Sequence, residues 1–224
     1  TWGLILAVSR RIAEGDRLVR AGRWRGWAFD FMLGMSLYGK RLGIVGLGRI
    51  GRAVAGYAQA FGMDVVATSR KETAKVMEQT DSEFSGIRRV SLDELLVTSD
   101  VVSLHIPMND TTRHLINRRA LTRMKRTAFL INTSRGPIVD ETALVWALQE
   151  RLIAGVGLDV YEDEPSVHPG LYSLEAAVLA PHLGSATGET RMAMADLAAE
   201  NVVSIVNGNP PITPVKLELP GSSI

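Results

Sequence analysis

The sequence predicts an α/β fold, a doubly wound parallel sheet with helices on both faces, and three observations lead there. Short apolar runs alternate with helix-like segments along most of the chain. Several of those runs, such as residues 42–45 and 127–132, are apolar without alternation, as strands buried on both faces require. The run at 42–45 breaks into Gly46-x-Gly48-x-x-Gly51 just before a helix begins, so strand, tight turn and helix follow one another.

The glycine spacing carries a specific chemistry. Gly46 permits the turn, Gly48 lets a pyrophosphate approach the backbone, and Gly51 lets the helix pack against the strand. The helix start then presents unpaired N–H groups and a positive dipole end to phosphates. The strand and helix on either side make this a dinucleotide site rather than a merely glycine-rich turn.

Residues 1–22 read as one amphipathic helix, with Leu4, Val8 and Ile12 on one face and Gly22 as the stop signal. A helix ahead of the first strand must pack on something, such as a neighbouring domain or a second subunit. Residues 23–40 form a connecting loop. After the helix over roughly 49–61 come a strand at 64–68, a short helix at 71–79 and a short strand near 88–90. Ser91-Leu92-Asp93-Glu94 fits a capping box for a helix at 92–98. A strand over 101–105 is closed by Pro107. Asn117 caps a helix reaching Met124, residues 127–132 form a strand, and Asp140 caps a helix through Glu150. Strands at 154–159 and 176–180 bring the total to about seven. The last helix, 188–207, carries Met192, Ala195, Ala199, Val202 and Val206 on one face and ends at Gly208, Pro210 and Pro211. The tail past Pro214 is expected to be poorly ordered. The domain reading is therefore residues 1–38 as N-terminal helix and connector, 39–207 as a dinucleotide-binding domain, and 208–224 as a tail.

Composition narrows the function. Length 224, with 46% hydrophobic and 22% charged residues, suits a globular protein with a sizeable core. A net charge of +1 argues against nucleic acid or an anionic membrane as partner. Residues 24–31 mix arginine with aromatics, which can stack on bases, but a structural role is the preferred reading. The absence of cysteine excludes disulfides and thiol catalysis and fits a reducing cytoplasm. The apolar run 4–8 is too short for a membrane span. No spacing of His, Asp and Glu reads as a metal site.

In open α/β sheets ligands bind beyond the carboxyl ends of the strands. Thr133, Ser134, Arg135 and Gly136 follow one strand, Tyr161 to Pro165 a second, and Pro181 to Ser185 a third. Arg135, Glu164 and His182 thus fall on the same edge as the glycine loop. A hydride-exchanging cofactor needs a proton-transfer partner, a role that suits histidine near neutral pH. A carboxylate would orient that ring, and an arginine would clamp a substrate carboxylate. Each residue also has a plainer reading: Arg135 as surface charge, Glu164 as a solvated acid, His182 as a buried structural histidine. His105 ends a strand and is read as structural, His114 and His168 as loop histidines.

Four motifs in order then resemble the D-2-hydroxyacid dehydrogenase family, and within it the glyoxylate/hydroxypyruvate reductases. They begin at Gly39, Ile131, Gly157 and Pro181, running to Gly51, Gly136, Pro165 and Thr187, and the resemblance extends over about residues 2–214. It implies a Rossmann fold, with Arg135 binding the substrate carboxylate, Glu164 orienting His182, and His182 donating a proton to the substrate carbonyl. It implies Asp159 at the nicotinamide amide. Gly46, Leu47, Gly48, Arg49, Ile50, Gly51, Thr133 and Ser134 would line the cofactor, and Lys71, Pro107 and Gly184 join that set. The substrate would be a small 2-oxo or 2-hydroxy acid and the assembly a homodimer, with residues 1–22 in the contact. Family members carry a substrate-binding segment before the equivalent of Thr1. Without it, the 224-residue chain is expected to bind cofactor but turn over poorly.

The strand at 64–68 runs into Ser69-Arg70-Lys71, with no acid where NAD enzymes bind the ribose 2′-OH. Ser69 and Arg70 suit a 2′-phosphate instead, so NADP(H) is expected over NAD(H), unless Arg70 and Lys71 only begin a solvated helix. The rivals are an NAD-linked enzyme for another acid, such as phosphoglycerate, and a non-catalytic nucleotide sensor.

Overall fold

A computed structural model describes residues 1–69 and 87–215, so the helix expected at 71–79, Arg70, Lys71 and the chain beyond 215 lie outside the described residues. The chain divides into two compact units, Thr1–His182 and Leu183–Ile224. The first is built on a seven-stranded sheet: β1 (Arg41–Val45), β2 (Asp64–Thr68), β3 (Arg88–Arg89), β4 (Val101–Leu104), β5 (Phe129–Asn132), β6 (Gly155–Leu158) and β7 (Ala177–Leu179). Every pairing is parallel and the order is β3-β2-β1-β4-β5-β6-β7. The order reverses between β1 and β4, which is where an open sheet of this kind opens a crevice.

Adjacent residues of a strand point to opposite faces, and both faces are apolar. Leu42, Ile44, Val65, Ala67, Val101, Phe129 and Ile131 enter one core, beneath α1 (Trp2–Ser9) and α3 (Arg49–Ala60). Val45, Val66, Val102, Leu104, Leu130 and Val156 enter the other, with α4 (Leu92–Thr98), α5 (Arg118–Arg123) and α6 (Glu141–Gln149). The side-chain caps fall where the sequence puts them. Ser91 accepts from the Glu94 N–H, Asn117 from Ala120 and Asp140 from Ala143.

The first 22 residues depart from expectation. They form two helices, α1 and α2 (Ile12–Arg20), with Arg11 between them in a left-handed conformation at φ 54°. The Ser9 carbonyl accepts the backbone N–H of Met35 at 2.8 Å, so the chain turns outward here. The Arg11 guanidinium binds Glu14 through two hydrogen bonds of 2.6 and 2.7 Å. Ile5 and Val8 are buried in the sheet's own core, whereas Ile12 is exposed. The first helix therefore packs on the domain to which it is joined.

Residues 24–31 do not pack as a structural element of the core. Trp24, Trp27 and Phe29 are exposed, the last two at 82% and 87%. In the second unit α7 (Gly188–Val206) is capped by Thr187, and Asn201 ties the following segment back onto it through Thr213. Among the described residues no helix is long and apolar enough to cross a membrane.

Candidate active site

The glycine loop joins β1 to α3 at the carboxyl edge of the sheet. Gly46 has φ 97°, and a Cβ there would lie 2.4 Å from the His105 carbonyl oxygen; one on Gly51 would lie 2.2 Å from the Gly46 oxygen. Both positions are closed to a side chain by backbone. Gly48 differs: a Cβ there would meet nothing within 4 Å. Space above Gly48, together with the start of α3, which carries no side-chain cap, is what a pyrophosphate needs for direct backbone contact. Leu47 is buried and Ile50 exposed, flanking this approach. The residues fit a dinucleotide.

The loop after β5 is folded by Asn132, which is buried. Its side-chain amide donates to the Arg135 carbonyl at 2.9 Å, and its oxygen accepts the Ser134 N–H at 3.1 Å. The Ser134 hydroxyl donates to the Leu104 carbonyl at 2.6 Å, tying the ends of β4 and β5, and Thr133 shares a 2.8 Å hydrogen bond with Thr1. Arg135 is exposed; its guanidinium donates to the Ser134 carbonyl at 2.6 Å. Gly136 then passes so close to the next loop that a Cβ would lie 1.8 Å from the Tyr161 carbonyl carbon.

That next loop, after β6, carries Glu164. One carboxylate oxygen accepts the Tyr161 N–H at 3.0 Å, and the other lies 2.8 Å from Nδ1 of His182. Burial opposes ionisation of Glu164. The hydrogen bonds from His182 and Tyr161, with the His182 and Arg135 charges, outweigh it and hold the carboxyl below its usual range. An ionised acceptor requires the proton on Nδ1 of His182, which leaves Nε2 for other work. His182 adopts the left-handed conformation at φ 55°, uncommon for a residue other than glycine. Tyr161 joins the two loops from below: its hydroxyl donates to the Ala180 carbonyl at 2.9 Å, and burial, then the Asp159 charge, pushes it up to about 12.

Arg135, Glu164 and His182 are thus gathered on one edge. Asp159 is buried at the end of β6, Pro107 follows β4, and Ser69 follows β2, all at the carboxyl ends of their strands. Gly184 belongs to the second unit. Burial pushes His105 down to about 4, and its Nε2 lies 2.8 Å from the Ser103 hydroxyl. Among the described residues no group of three or more His, Cys, Asp and Glu side chains is placed to hold a metal.

Sequence reasoning missed the support beneath Glu164. Glu141 accepts the Glu162 N–H at 2.8 Å, Glu162 accepts the Glu141 N–H at 2.9 Å, and His114 reaches Glu162 at 2.6 Å. His114 is therefore a tether of the acidic loop and not a bare loop histidine. Only the helix-start position of Glu141, beside its Asp140 cap, signalled that a partner was needed there.

Comparison with known proteins identifies the family. Residues 2–184 match the model of the D-isomer specific 2-hydroxyacid dehydrogenase, NAD binding domain. The chain belongs to this family. It is 46% identical over 222 residues to a glyoxylate reductase of Thermococcus onnurineus and 47% identical over 225 residues to one of Aeropyrum pernix. These alignments take in 97% and 98% of the chain but 65% of each relative, so the chain spans about two thirds of their length. A Thermus thermophilus crystal structure superposes with a TM-score of 0.87 at 45% identity, covering 96% of this chain and 66% of that one. An NADPH-dependent glyoxylate/hydroxypyruvate reductase from Sinorhizobium meliloti, solved with NADP and malonate, gives 0.84 at 36% identity, covering 95% and 64%.

Proposed function

We propose that this chain forms the cofactor and proton-transfer half of an oxidoreductase that reduces a small 2-oxo acid, glyoxylate or hydroxypyruvate, with NADPH preferred to NADH. The observation that carries the reading is the Glu164–His182 hydrogen bond of 2.8 Å beside Arg135, on the edge that also bears the glycine loop. Naming of the archaeal relatives as glyoxylate reductases supports the substrate class, and the Sinorhizobium enzyme's NADP supports the cofactor.

Bound at Gly46 to Gly51, reduced nicotinamide cofactor supplies the hydride. Arg135 holds the substrate carboxylate through its planar fork, fixing the carbonyl carbon in reach. His182, turned by Glu164 so that Nε2 faces the substrate, gives a proton to the carbonyl oxygen as that atom gains charge. Glu164 stays ionised and holds the ring in place through Nδ1. Asp159, at the end of β6, would hold the carboxamide of the cofactor.

The assembly is a homodimer in this reading. Trp24, Trp27, Phe29 and Leu33 form an exposed apolar arm of the kind that a second subunit covers. Sedimentation of the wild type and of Trp27→Ser/Phe29→Ser tests it: the variant sediments as the lighter species, and equal masses refute the arm's role.

The reaction is tested by assaying a panel of 2-oxo acids with both cofactors, alongside His182→Ala. Loss of kcat by about 10²–10⁴-fold with little change in cofactor affinity is expected. A His182→Ala enzyme with near-normal kcat means the proton comes from elsewhere. A protein that binds NADPH but turns over no acid in the panel favours a nucleotide sensor.

A further inference from the structure

Ser69, immediately past β2, is the position where an acid would read the adenosine ribose of NAD, and the structure brings a cation to it from another strand. β3 pairs with β2 in the register Ala67↔Arg89, and Nη1 of Arg89 donates to the Ser69 hydroxyl at 3.1 Å. The neighbouring Arg88 projects the other way, as successive residues of a strand must, and is paired with Glu94 at 2.6 Å. Two consecutive arginines are thus divided between two tasks. Arg88 is paired with α4, and Arg89 reaches the carboxyl end of β2.

We propose that Arg89, held by Ser69, is a specificity-determining residue for the cofactor, binding the 2′-phosphate of NADPH together with the Ser69 hydroxyl. This rests on the NADPH reading above and deepens it by placing the decisive cation outside the Ser69-Arg70-Lys71 run. A guanidinium carries five donors in a planar fork, so it can hold a serine hydroxyl and a phosphate at once. A phosphate monoester near neutral pH carries close to two negative charges and three acceptor oxygens, and charge-assisted bonds to such a group are roughly twice as strong as neutral ones. The 2′-OH of NADH offers Arg89 no charge, so removing the guanidinium costs NADPH far more than NADH.

The test is direct titration of the protein with NADPH and with NADH, following nicotinamide fluorescence, for wild type, Arg89→Ala, Arg89→Lys and Ser69→Ala. Arg89→Ala should weaken NADPH about tenfold or more and NADH by less than about twofold. Arg89→Lys should recover part of the loss, because the charge remains and the fork does not. Raising salt should weaken NADPH binding more in wild type than in Arg89→Ala. Because NADH binding reports an intact fold, a variant that binds neither cofactor is set aside, and Ser69→Ala, which loses Arg89's anchor, decides. A wild-type preference for NADPH that persists unchanged in Arg89→Ala and Ser69→Ala overturns the inference and leaves the cofactor reading standing. A wild type that binds both cofactors equally defeats that reading and this inference together.

Discussion

Glu141 and Glu162 each accept the other's backbone N–H, at 2.8 and 2.9 Å, so two carboxylates that would repel one another instead lock two loops together. Glu162 also meets His114 at 2.6 Å and lies two residues before Glu164. Breaking this lock loosens the loop that orients His182. Glu162→Ala leaves an orphaned N–H at the start of α6, a loss of about 1.5–3 kcal/mol for bonds to a charged group. In a domain of this size that lowers Tm by roughly 3–12 °C. Calorimetry of Glu162→Ala and Glu162→Gln reads it directly. The glutamine, which keeps one acceptor oxygen, should fall between the alanine variant and wild type.

Gly136 and Gly48 make an opposed pair. A methyl group at Gly136 drives into the Tyr161 backbone at 1.8 Å, and neither strand-anchored loop can retreat. Gly136→Ala should cost stability at or above the top of the ~1–3 kcal/mol range for overpacking, seen as a lower urea midpoint. Gly48→Ala meets nothing within 4 Å and should leave the unfolding free energy from urea titration within about 0.5 kcal/mol of wild type. Its methyl instead occupies the approach to the backbone and should weaken dinucleotide binding by about tenfold, or ~1.4 kcal/mol. Normal binding by Gly48→Ala would mean that the pyrophosphate lies elsewhere.

The contact of His182 with Glu164 can be read from the titration of Glu164. The Glu164 carboxyl is held low against its own burial by His182, the Tyr161 N–H and Arg135. His182→Ala removes the first of these supports, so Glu164 should titrate at higher pH than in wild type. Carbon-detected NMR of the side-chain carboxyl, over the acid range, gives the shift. An unchanged Glu164 midpoint would show that the 2.8 Å contact contributes nothing in solution.

Stability against pH carries two opposite contributions. Asp100, like Glu164, is held below the ordinary value: burial opposes this, but the Arg41 N–H and Lys125 outweigh it. Groups lowered in the fold stabilise it above their unfolded pKa, and that contribution is lost as pH falls through the folded value. Glu141 is raised instead, by burial and by the Glu162 charge, so its contribution is full below the ordinary 4.5 and is lost as pH rises through its folded value. Asp100→Asn should therefore flatten the fall of Tm on acidification below the ordinary 3.8. The Tm of Glu141→Gln relative to wild type should rise as pH is raised from about 4 to 7. A parallel shift of either curve at all pH values would contradict the assignment.

Much of this was legible in the sequence because the governing interactions are local. Ser91, Asn117 and Asp140 cap helices that begin one residue later, and the strands are contiguous apolar runs. Arg135, Glu164 and His182 were found because each follows a strand, and strand ends of a parallel sheet share an edge. What escaped depends on residues far apart in the chain. The break after Ser9 is made by the N–H of Met35, and the tether of Glu162 by His114, 48 residues earlier. Arg89 reaches Ser69 only because β3 pairs with β2. A helical periodicity such as Leu4, Val8 and Ile12 carries no information about a carbonyl claimed from outside.

Strand order sets the residues proposed for cofactor choice apart from those proposed for proton transfer. Arg89 stands on β3 and His182 just past β7, at opposite edges of the sheet. Six strand spacings of about 4.8 Å put those edges roughly 29 Å apart. Residues that distant act additively to within about 0.3–0.5 kcal/mol wherever the cofactor they share does not couple them. Exchanging one nicotinamide cofactor for the other by changes around Ser69 and Arg89 should then leave the Glu164–His182 pair untouched. The two properties can be redesigned one at a time, in either sequence, without either change having to be re-optimised for the other.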